Sequence, residues 1–220
     1  MRAVTWRIIL ALVAAYGWSV DQMGVKSAFL HGNIDEEVYV ELPDSWELFP
    51  DIFKSCDMAL LLTKALYGLK QSPRFWQLTL KAALKKLGYQ PLFANQCLYR
   101  NYAAMMIITY VDDFLLIGPY GDELDMLKQQ LSRAFEMKEP GPRQFFLGVR
   151  IARIGSQITL CQDAYICKAL DKFGMQQCRI VSTPIDLGAY DTLVPYKGSA
   201  TWDDIKHWQS LVGCINYLAT

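Results

Sequence analysis

Two apolar runs that meet at a pair of aspartates constrain the fold more than any other feature of the sequence. Residues 97–117 read CLYRNYAAMMIITYVDDFLLI, with β-branched and aromatic residues on both sides of Val111-Asp112-Asp113. The pattern predicts a hairpin of two buried strands that carries Asp112 and Asp113 at its rigid tip. Aspartate is also a common turn residue, so this stretch alone leaves a plain Asp-rich turn open.

Other segments of the chain alternate between helical and extended patterns. Apolar residues at helical spacing predict helices at 4–16, 72–87, 121–135, 163–173 and from Trp202 onwards. Period-two patterns predict strands at 19–28, 38–42 and 59–62, and a second hairpin in FFLGVRIARI and SQITL. Residues 43–57 and 180–204 are predicted to form loops. There is no strict strand–helix–strand rhythm, so the fold class predicted is α+β.

The start of the second predicted helix has its own signals. Ser72 is a residue type that caps helices, and Pro73 needs no hydrogen-bond partner for its nitrogen at the first helical position. We therefore expect Ser72 to cap this helix.

Charge is divided unevenly, although Lys+Arg and Asp+Glu both total 22. Residues 20–51 hold eight acids and one base, whereas residues 54–100 hold eight bases and one acid. A balanced total argues weakly against a nucleic-acid-binding protein, which is usually basic. The split is consistent either with a basic surface that faces a polyanion or with two solvated faces.

Cysteine spacing bears on metal binding and on the compartment. The six cysteines include no CxxC pair and the chain has only two histidines, so a zinc site is not expected. Cysteines scattered through a chain of this length are typical of reduced core residues in the cytosol or nucleus.

The N-terminal stretch MRAVTWRIILALVAAYGWS has the early arginines and the apolar run of a secretory signal. However, apolar residues fall at helical spacing, namely Trp6, Ile9, Leu10, Val13 and Ala14, and the apolar run is too short to span a membrane. We favour a core helix and a cytoplasmic or nuclear protein that is not secreted, with a signal peptide as the alternative.

Asp112 and Asp113 suit a particular chemistry. Mg²⁺ is bound through a few carboxylates together with substrate phosphates. A two-metal site for phosphoryl transfer needs carboxylates from more than one segment of the chain. The hairpin could therefore supply part of such a site, and a second segment would have to supply the rest.

Four stretches occur in a characteristic order: QMGVKSAFLHGNIDEEVYVELP at 22–43, LYGLKQSPRFW at 66–76, YVDD at 110–113 and FFLGVRI at 145–151. YICKALDKFGM, VSTPID and SLVGCINYLAT continue the series towards the C-terminus. Each motif is weak alone, but the ordered set covers nearly the whole chain. The chain thus resembles the reverse transcriptase, an RNA-directed DNA polymerase, of a copia-type LTR retrotransposon.

This resemblance implies an architecture. The family has a right-hand polymerase fold, with a palm made of an antiparallel sheet and packed helices, flanked by fingers and a thumb. Residues 1–155 would form the palm with part of the fingers, and residues 156–220 would form a thumb or connection-like segment.

The resemblance also implies an activity, which is the addition of dNTPs to a primer 3′-hydroxyl by two-metal phosphoryl transfer. Asp112 and Asp113 would be the catalytic residues and would bind Mg²⁺. Phe29 would lie under the sugar and exclude a 2′-hydroxyl. RNA or DNA template–primer and dNTPs would be the partners, without a membrane.

Two further groups of residues receive roles from the resemblance. The nucleotide and template pocket would be shaped by Val25, Phe29, Gly68, Lys70, Ser72 and Pro73. The primer end would be held by Phe146, Leu147 and Gly148. Without the resemblance, ordinary core packing would be the preferred interpretation of Phe29, Phe146 and Trp76.

One position departs from the family pattern. The family motif reads roughly QMDVKTAFL, so Gly24 stands where the other main metal ligand would be. Asp21 is a poor replacement, because three residues along a strand span about 10 Å and reverse the face. We therefore expect the metal site to be weakened or lost and catalysis to be absent or severely impaired.

The ends suggest a truncated copy. The basic fingers hairpin of the family would precede Met1, and no RNase H, integrase or protease motif is present. Two alternatives to an impaired polymerase domain remain: a non-catalytic nucleic-acid-binding protein, and an inert remnant of a retroelement polyprotein.

Overall fold

Helices and antiparallel strands alternate irregularly along the chain. The computed structural model describes residues 2–48, 58–119, 121–138, 145–183, 185, 188–195 and 197–219. The helices in these ranges are α1 (Ala3–Tyr16), α2 (Ser72–Lys86), α3 (Gly121–Ala134), α4 (Asp163–Lys172) and α5 (Trp202–Ala219). The strands are β1 (Ser19–Val25), β2 (Tyr39–Val40), β3 (Leu60–Leu61), β4 (Gln90–Leu92), β5 (Asn95–Arg100), β6 (Met106–Tyr110), β7 (Asp113–Gly118), β8 (Met137–Lys138), β9 (Phe145–Phe146), β10 (Val149–Ile154) and β11 (Gln157–Cys161).

A six-stranded antiparallel sheet in the order β4-β5-β6-β7-β1-β8 forms the centre of the N-terminal part. A three-stranded sheet has the order β11-β10-β9, and β2 pairs with β3. Helices and antiparallel strands occur together without a strand–helix–strand repeat, which confirms the predicted α+β class.

The main core lies where α2 and α3 pack against the central sheet. Its buried side chains include Met23 and Val25 from β1, Leu80 and Leu84 from α2, and Leu127 from α3. Side chains that project from the other face of β6 and β7 are also buried, among them Ile108, Leu115 and Ile117. Burial on both faces explains why these two strands are continuously apolar instead of alternating.

The first helix is confirmed. Trp6, Ile9, Leu10 and Val13 are its buried residues, as their spacing predicts, whereas Ala14 is only half-buried. Gly17 ends the helix with φ of +68°, the left-handed conformation that glycine adopts without strain. Among the described residues, the helices are too short or too polar for any of them to cross a bilayer.

The stretch 97–117 holds more strands than the two predicted. β6 and β7 form the expected hairpin around Asp112, but residues before it form β5, which pairs with β6. The side chain of Asn101 accepts a hydrogen bond from the Met105 backbone N–H at 2.9 Å and closes the additional turn. Asparagine is a turn-forming residue for this reason, and it was the available local signal.

The cap predicted for α2 is wrong. Ser72 is the first residue inside the helix, the cap position is Gln71, and no side chain caps it. The Ser72 hydroxyl instead donates a hydrogen bond to the Leu66 carbonyl at 2.5 Å, and Ser72 is fully buried. A buried hydroxyl needs a partner, and the preceding loop supplies one.

The prediction that the cysteines lie in a core is wrong for the five that the structure describes. All five have free thiols and none is buried. Cys167 and Cys214 lie on α4 and α5, and neither helix has a buried residue. Cys56 lies outside the described residues, as does most of the predicted 43–57 loop.

The chain divides into two compact units. The first comprises residues 1–143 and 154–158, and the second comprises 144–153 and 159–220. The first unit holds the central sheet, and the second holds α4, α5 and the turn between β9 and β10. The assignment of these units to palm and thumb stays a prediction.

We predict that alkaline pH destabilises the fold through its buried tyrosines. Burial, with a smaller contribution from the charge of Glu123, raises the pKa of Tyr89 to about 12. Between about pH 10 and about pH 12 the unfolded chain loses this proton while the folded chain keeps it, so stability falls by about 1.4 kcal/mol per pH unit. Tyr99 behaves likewise, with its pKa raised to about 12 mainly by burial.

Urea unfolding on either side of about pH 10 measures this loss. Tyr89→Phe should reduce the loss, since it removes one of the groups that titrate. Tyr102→Phe is the matched control, because the Tyr102 side chain is fully exposed. An unchanged loss in Tyr89→Phe would contradict the prediction.

Candidate active site at the Asp112–Asp113 turn

Val111 and Asp112 form a two-residue turn between β6 and β7. Tyr110, the last residue of β6, pairs with Asp113, the first residue of β7. The Asp112 carbonyl accepts a hydrogen bond from the Val25 N–H at 2.8 Å, so the turn is attached to the end of β1. The two carboxylates therefore lie at a fixed corner of the central sheet, as the sequence predicts.

Gly24 lies directly beside these carboxylates. In the antiparallel register Gly24 pairs with Asp113 on one side and with Lys138 of β8 on the other. Directly paired residues project from the same face of a sheet. A side chain at position 24 would therefore project next to that of Asp113, and glycine leaves this position without a donor atom.

Lys138 fills the space that the glycine leaves. A Cβ at position 24 would lie 3.1 Å from the Lys138 Cδ and 3.6 Å from its Cβ. The Lys138 ammonium reaches onward to Asp112, with 2.5 Å between Nζ and Oδ2. The cation closest to the carboxylates is thus supplied by the chain itself.

The Asp113 carboxyl has a raised pKa. Burial raises its pKa above the usual range, the neighbouring charge of Asp112 raises it further, and Lys138 opposes both. The pKa of Lys138 is raised in turn, chiefly by its hydrogen bond to Asp112. The Lys138 charge therefore offsets part of the repulsion between two adjacent carboxylates.

Asp21 does not take the place of the missing side chain. It pairs with Leu116, three positions along β1 from Gly24, and its Oδ2 lies 2.7 Å from the Lys128 ammonium on α3. That lysine ties Asp21 to the helix-covered face of the sheet. The expectation that Asp21 is a poor substitute for residue 24 agrees with this placement.

Two of the predicted nucleotide-pocket residues lie beside the turn. Phe29 is in a short 3₁₀ segment, Ala28–His31, and its ring lies 4.5 Å from that of Tyr67. A cavity of about 170 Å³ is lined by Phe29, Pro73, Trp76, Gln77, Leu80, Cys97, Thr109, Tyr110 and Val111. Phe29 and Pro73 therefore share one cavity with the residues that precede the carboxylates.

The other predicted pocket residues have different surroundings. Val25 has a fully buried side chain and contributes its backbone N–H to the turn. Ser72 is also fully buried. Gly68 has φ of +100° and Lys70 is exposed, both in the loop before α2. These two are accessible, whereas Val25 and Ser72 support the site from within.

The predicted primer-holding residues belong to the second unit. Phe146 is fully buried, and Leu147 and Gly148 have φ of +53° and +76° in the turn between β9 and β10. The Leu147 carbonyl accepts a hydrogen bond from the Tyr217 hydroxyl at 2.6 Å. This turn is therefore held by α5 within its own unit.

Sequence reasoning missed Lys138 and two hydrogen bonds. The indole N–H of Trp76 donates to the Val111 carbonyl at 2.7 Å, and Tyr217 binds the β9–β10 turn as described above. These contacts join segments 35 and 70 residues apart in the chain. No local pattern could have revealed them, because each depends on the pairing of distant elements.

The two-ion Mg²⁺ centre that the family resemblance implies does not fit the donors that are present, in line with the expectation that the site is weakened or lost. Asp112 and Asp113 come from a single turn, β1 contributes glycine, and an ammonium already binds Asp112. Across the described ranges, no three His, Cys, Asp or Glu side chains come together as a metal-binding group. The carboxylates lack the second segment that a two-metal site requires.

Comparisons with known proteins identify the family. A family model described as "Reverse transcriptase (RNA-dependent DNA polymerase)" matches residues 1–187. The chain is 36% identical to the retrovirus-related Pol polyprotein from transposon TNT 1-94 of Nicotiana tabacum, over 81% of this chain and 14% of that polyprotein. It is 30% identical to the corresponding polyprotein from transposon RE2 of Arabidopsis thaliana, over 100% of this chain and 15% of that polyprotein.

A shorter relative is similar over most of its length. The chain is 31% identical to a putative transposon Ty5-1 protein of Saccharomyces cerevisiae, over 90% of this chain and 63% of that protein. Against the two plant polyproteins, the chain spans only 14% and 15% of their length. The resemblance predicted from the ordered motifs is confirmed, and the chain belongs to the reverse transcriptase family as a domain of copia-type retrotransposon Pol polyproteins.

Proposed function

We propose that this reverse transcriptase domain keeps a template–primer-binding fold but is severely impaired in two-metal nucleotidyl transfer. The observation that carries the proposal is the glycine at position 24, paired directly with Asp113. In the family reaction, Mg²⁺ supplies charge stabilisation for the attacking and leaving oxygens of dNTP addition. This chain offers one turn with two carboxylates, and its own Lys138 binds one of them.

The residues that remain support binding more than turnover. Phe29 and Pro73 line a cavity that reaches the turn, which suits contact with a nucleotide sugar or base. A cavity of about 170 Å³ is small beside typical ligand pockets of about 300 to 1,000 Å³, so it would accommodate only part of a nucleotide. We therefore propose that Phe29 and Pro73 act by shaping this cavity, which does not require a carboxylate at position 24.

A non-catalytic nucleic-acid-binding function is favoured by one observation. Arg74, Lys81 and Lys85 are exposed on α2 at positions seven and four residues apart, so they form a basic stripe along one side of the helix. The acids of the 35–47 segment are also exposed but lie in a different part of the chain. This stripe could contact phosphates whether or not the domain catalyses a reaction.

Restoring the carboxylate should restore catalysis. We predict that Gly24→Asp increases primer extension with Mg²⁺ by about a thousandfold or more, because a second segment then contributes a ligand. The new Cβ would meet the Lys138 Cδ, at 3.1 Å, near the far end of a flexible side chain that can move aside. Primer extension on a homopolymer template measures the effect.

Gly24→Asn is the matched control, since it has nearly the same shape without the charge and should stay inactive. Adding Asp112→Asn to Gly24→Asp should abolish the gain. Robust extension by the natural chain, equal to that of Gly24→Asp, would contradict the proposal.

Metal binding can be measured without turnover. We predict that the melting temperature of the natural chain is insensitive to millimolar Mg²⁺ or Mn²⁺, because Lys138 already binds Asp112. Gly24→Asp should gain about 3–6 °C at a metal concentration tenfold above its dissociation constant. Differential scanning calorimetry with EDTA as the reference tests this, and an equal shift in both proteins would refute it.

Nucleic-acid binding should depend steeply on salt. We predict that the domain binds a primer–template duplex at low ionic strength, and that Lys81→Gln weakens binding and reduces the log–log salt slope by about 0.9. Glu47→Gln, in the acidic segment, is the control and should leave the slope unchanged. Filter binding across a salt series measures both. Absence of binding at low salt would favour an inert remnant.

A further inference from the structure

Val111 has an unfavourable backbone conformation at the turn that carries the carboxylates. Its φ is +53°, in the left-handed region. The other non-glycine residues at positive φ among the described residues are serine, alanine and leucine, namely Ser27, Ser45, Ala104 and Leu147. A β-branched residue in this region is an outlier that persists only where surrounding contacts hold it in place.

Two hydrogen bonds hold the carbonyls of this turn. The Trp76 indole N–H donates to the Val111 carbonyl at 2.7 Å, and the Val25 backbone N–H donates to the next carbonyl, that of Asp112, at 2.8 Å. Trp76 is only 2% exposed, so its side chain is largely shielded from bulk water. A buried indole N–H that lost this acceptor would remain unsatisfied, which makes the contact costly to break.

The indole is itself held by aromatic neighbours. Its ring lies 5.2 Å from the Phe135 ring in an edge-to-face arrangement and 5.9 Å from the His31 ring. His31 and Phe135 also contact each other, with their rings 5.3 Å apart. The direction of the N–H is therefore set by core packing on α2 and after α3, not by the turn that it binds.

We infer that Trp76 is a positioning residue, whose indole N–H holds the strained Val111 carbonyl and so sets the direction in which Asp112 and Asp113 project. Packing alone requires a large aromatic ring at this position but does not require an N–H directed at the Val111 carbonyl. Trp76 also lines the cavity shared with Phe29, so one side chain connects that cavity to the turn. Only the consequence for catalysis rests on the proposed function, since the backbone restraint can be measured without activity.

The test is a double-mutant cycle. Trp76→Phe removes the N–H and keeps an aromatic ring, and Val111→Gly removes the strain because glycine adopts positive φ freely. Loss of the indole bond lets the valine turn relax and regain its strain energy, whereas a glycine turn has no strain to regain. We therefore expect Trp76→Phe to lower the melting temperature by about 3–6 °C in the Val111→Gly background and by less than about half as much in the natural background.

Trp6→Phe is the matched control, because Trp6 is 3% exposed and lies on α1. Its effect should be the same in both backgrounds. Equal losses from Trp76→Phe in the two backgrounds, or equal coupling of Trp6 to Val111, would overturn the inference. If Trp76→Phe does not fold, a tryptophan analogue with a benzothiophene ring, which lacks only the N–H, replaces phenylalanine at position 76 in the same cycle, and equal losses in the two backgrounds again overturn the inference.

A second measurement addresses the reaction itself. In the Gly24→Asp background, Trp76→Phe should lower kcat on the order of tenfold to a hundredfold with little change in KM, since misplaced carboxylates affect the transition state. Trp6→Phe should leave kcat unchanged. If Gly24→Asp is inactive, the proposed function fails, but the melting-temperature cycle still decides whether Trp76 holds the turn.

Discussion

The antiparallel register at one end of the central sheet determines what this site contains. Tyr110 pairs with Asp113, Asp113 with Gly24, and Gly24 with Lys138, so four strands place these residues in a single row. Paired residues share a face of the sheet, and a slip of one residue would turn the row towards the core. In β1 the buried side chains Met23 and Val25 flank Gly24 on the opposite face, so a slip of this strand would take them out of the core.

Charge along this row explains why a glycine at position 24 is compatible with the fold. Asp112 and Asp113 are adjacent, and burial together with the Asp112 charge raises the pKa of Asp113. Lys138 supplies one positive charge, so the two carboxylates and this ammonium together carry a modest negative excess. An aspartate at position 24 would add another negative charge to the same row, and a divalent ion would then balance it. Glycine at position 24 avoids this additional charge beside Asp113.

Local patterns predicted the elements but not the contacts between them. The hairpin around Asp112 could be found because its strands are adjacent in sequence, and the family resemblance drew attention to Gly24, where the family motif has an aspartate. Lys138 could not be found, because β8 has two residues and joins the sheet through pairing with β1, more than a hundred residues earlier. The hydrogen bond from Trp76 to Val111 is hidden for the same reason.

The two errors have related physical causes. Serine is a residue type that commonly caps helices, but tertiary contacts bury the Ser72 hydroxyl, which donates a hydrogen bond to the Leu66 carbonyl. The cysteines were expected in a core because their side chains are apolar, yet α4 and α5 bury no residues of their own. In both cases a residue's intrinsic preference was overridden by what the surrounding chain places against it.

Different elements supply the backbone support and the charge of this site. Trp76 on α2 and Val25 on β1 hold consecutive carbonyls of the turn, while Lys138 on β8 binds the Asp112 side chain. Neither hydrogen bond involves a side chain at position 24, so the backbone of the turn does not depend on which residue stands there. Under the proposed function, the geometry of the site would therefore persist while its metal chemistry is impaired, because the core maintains the geometry and the charged side chains would provide the chemistry.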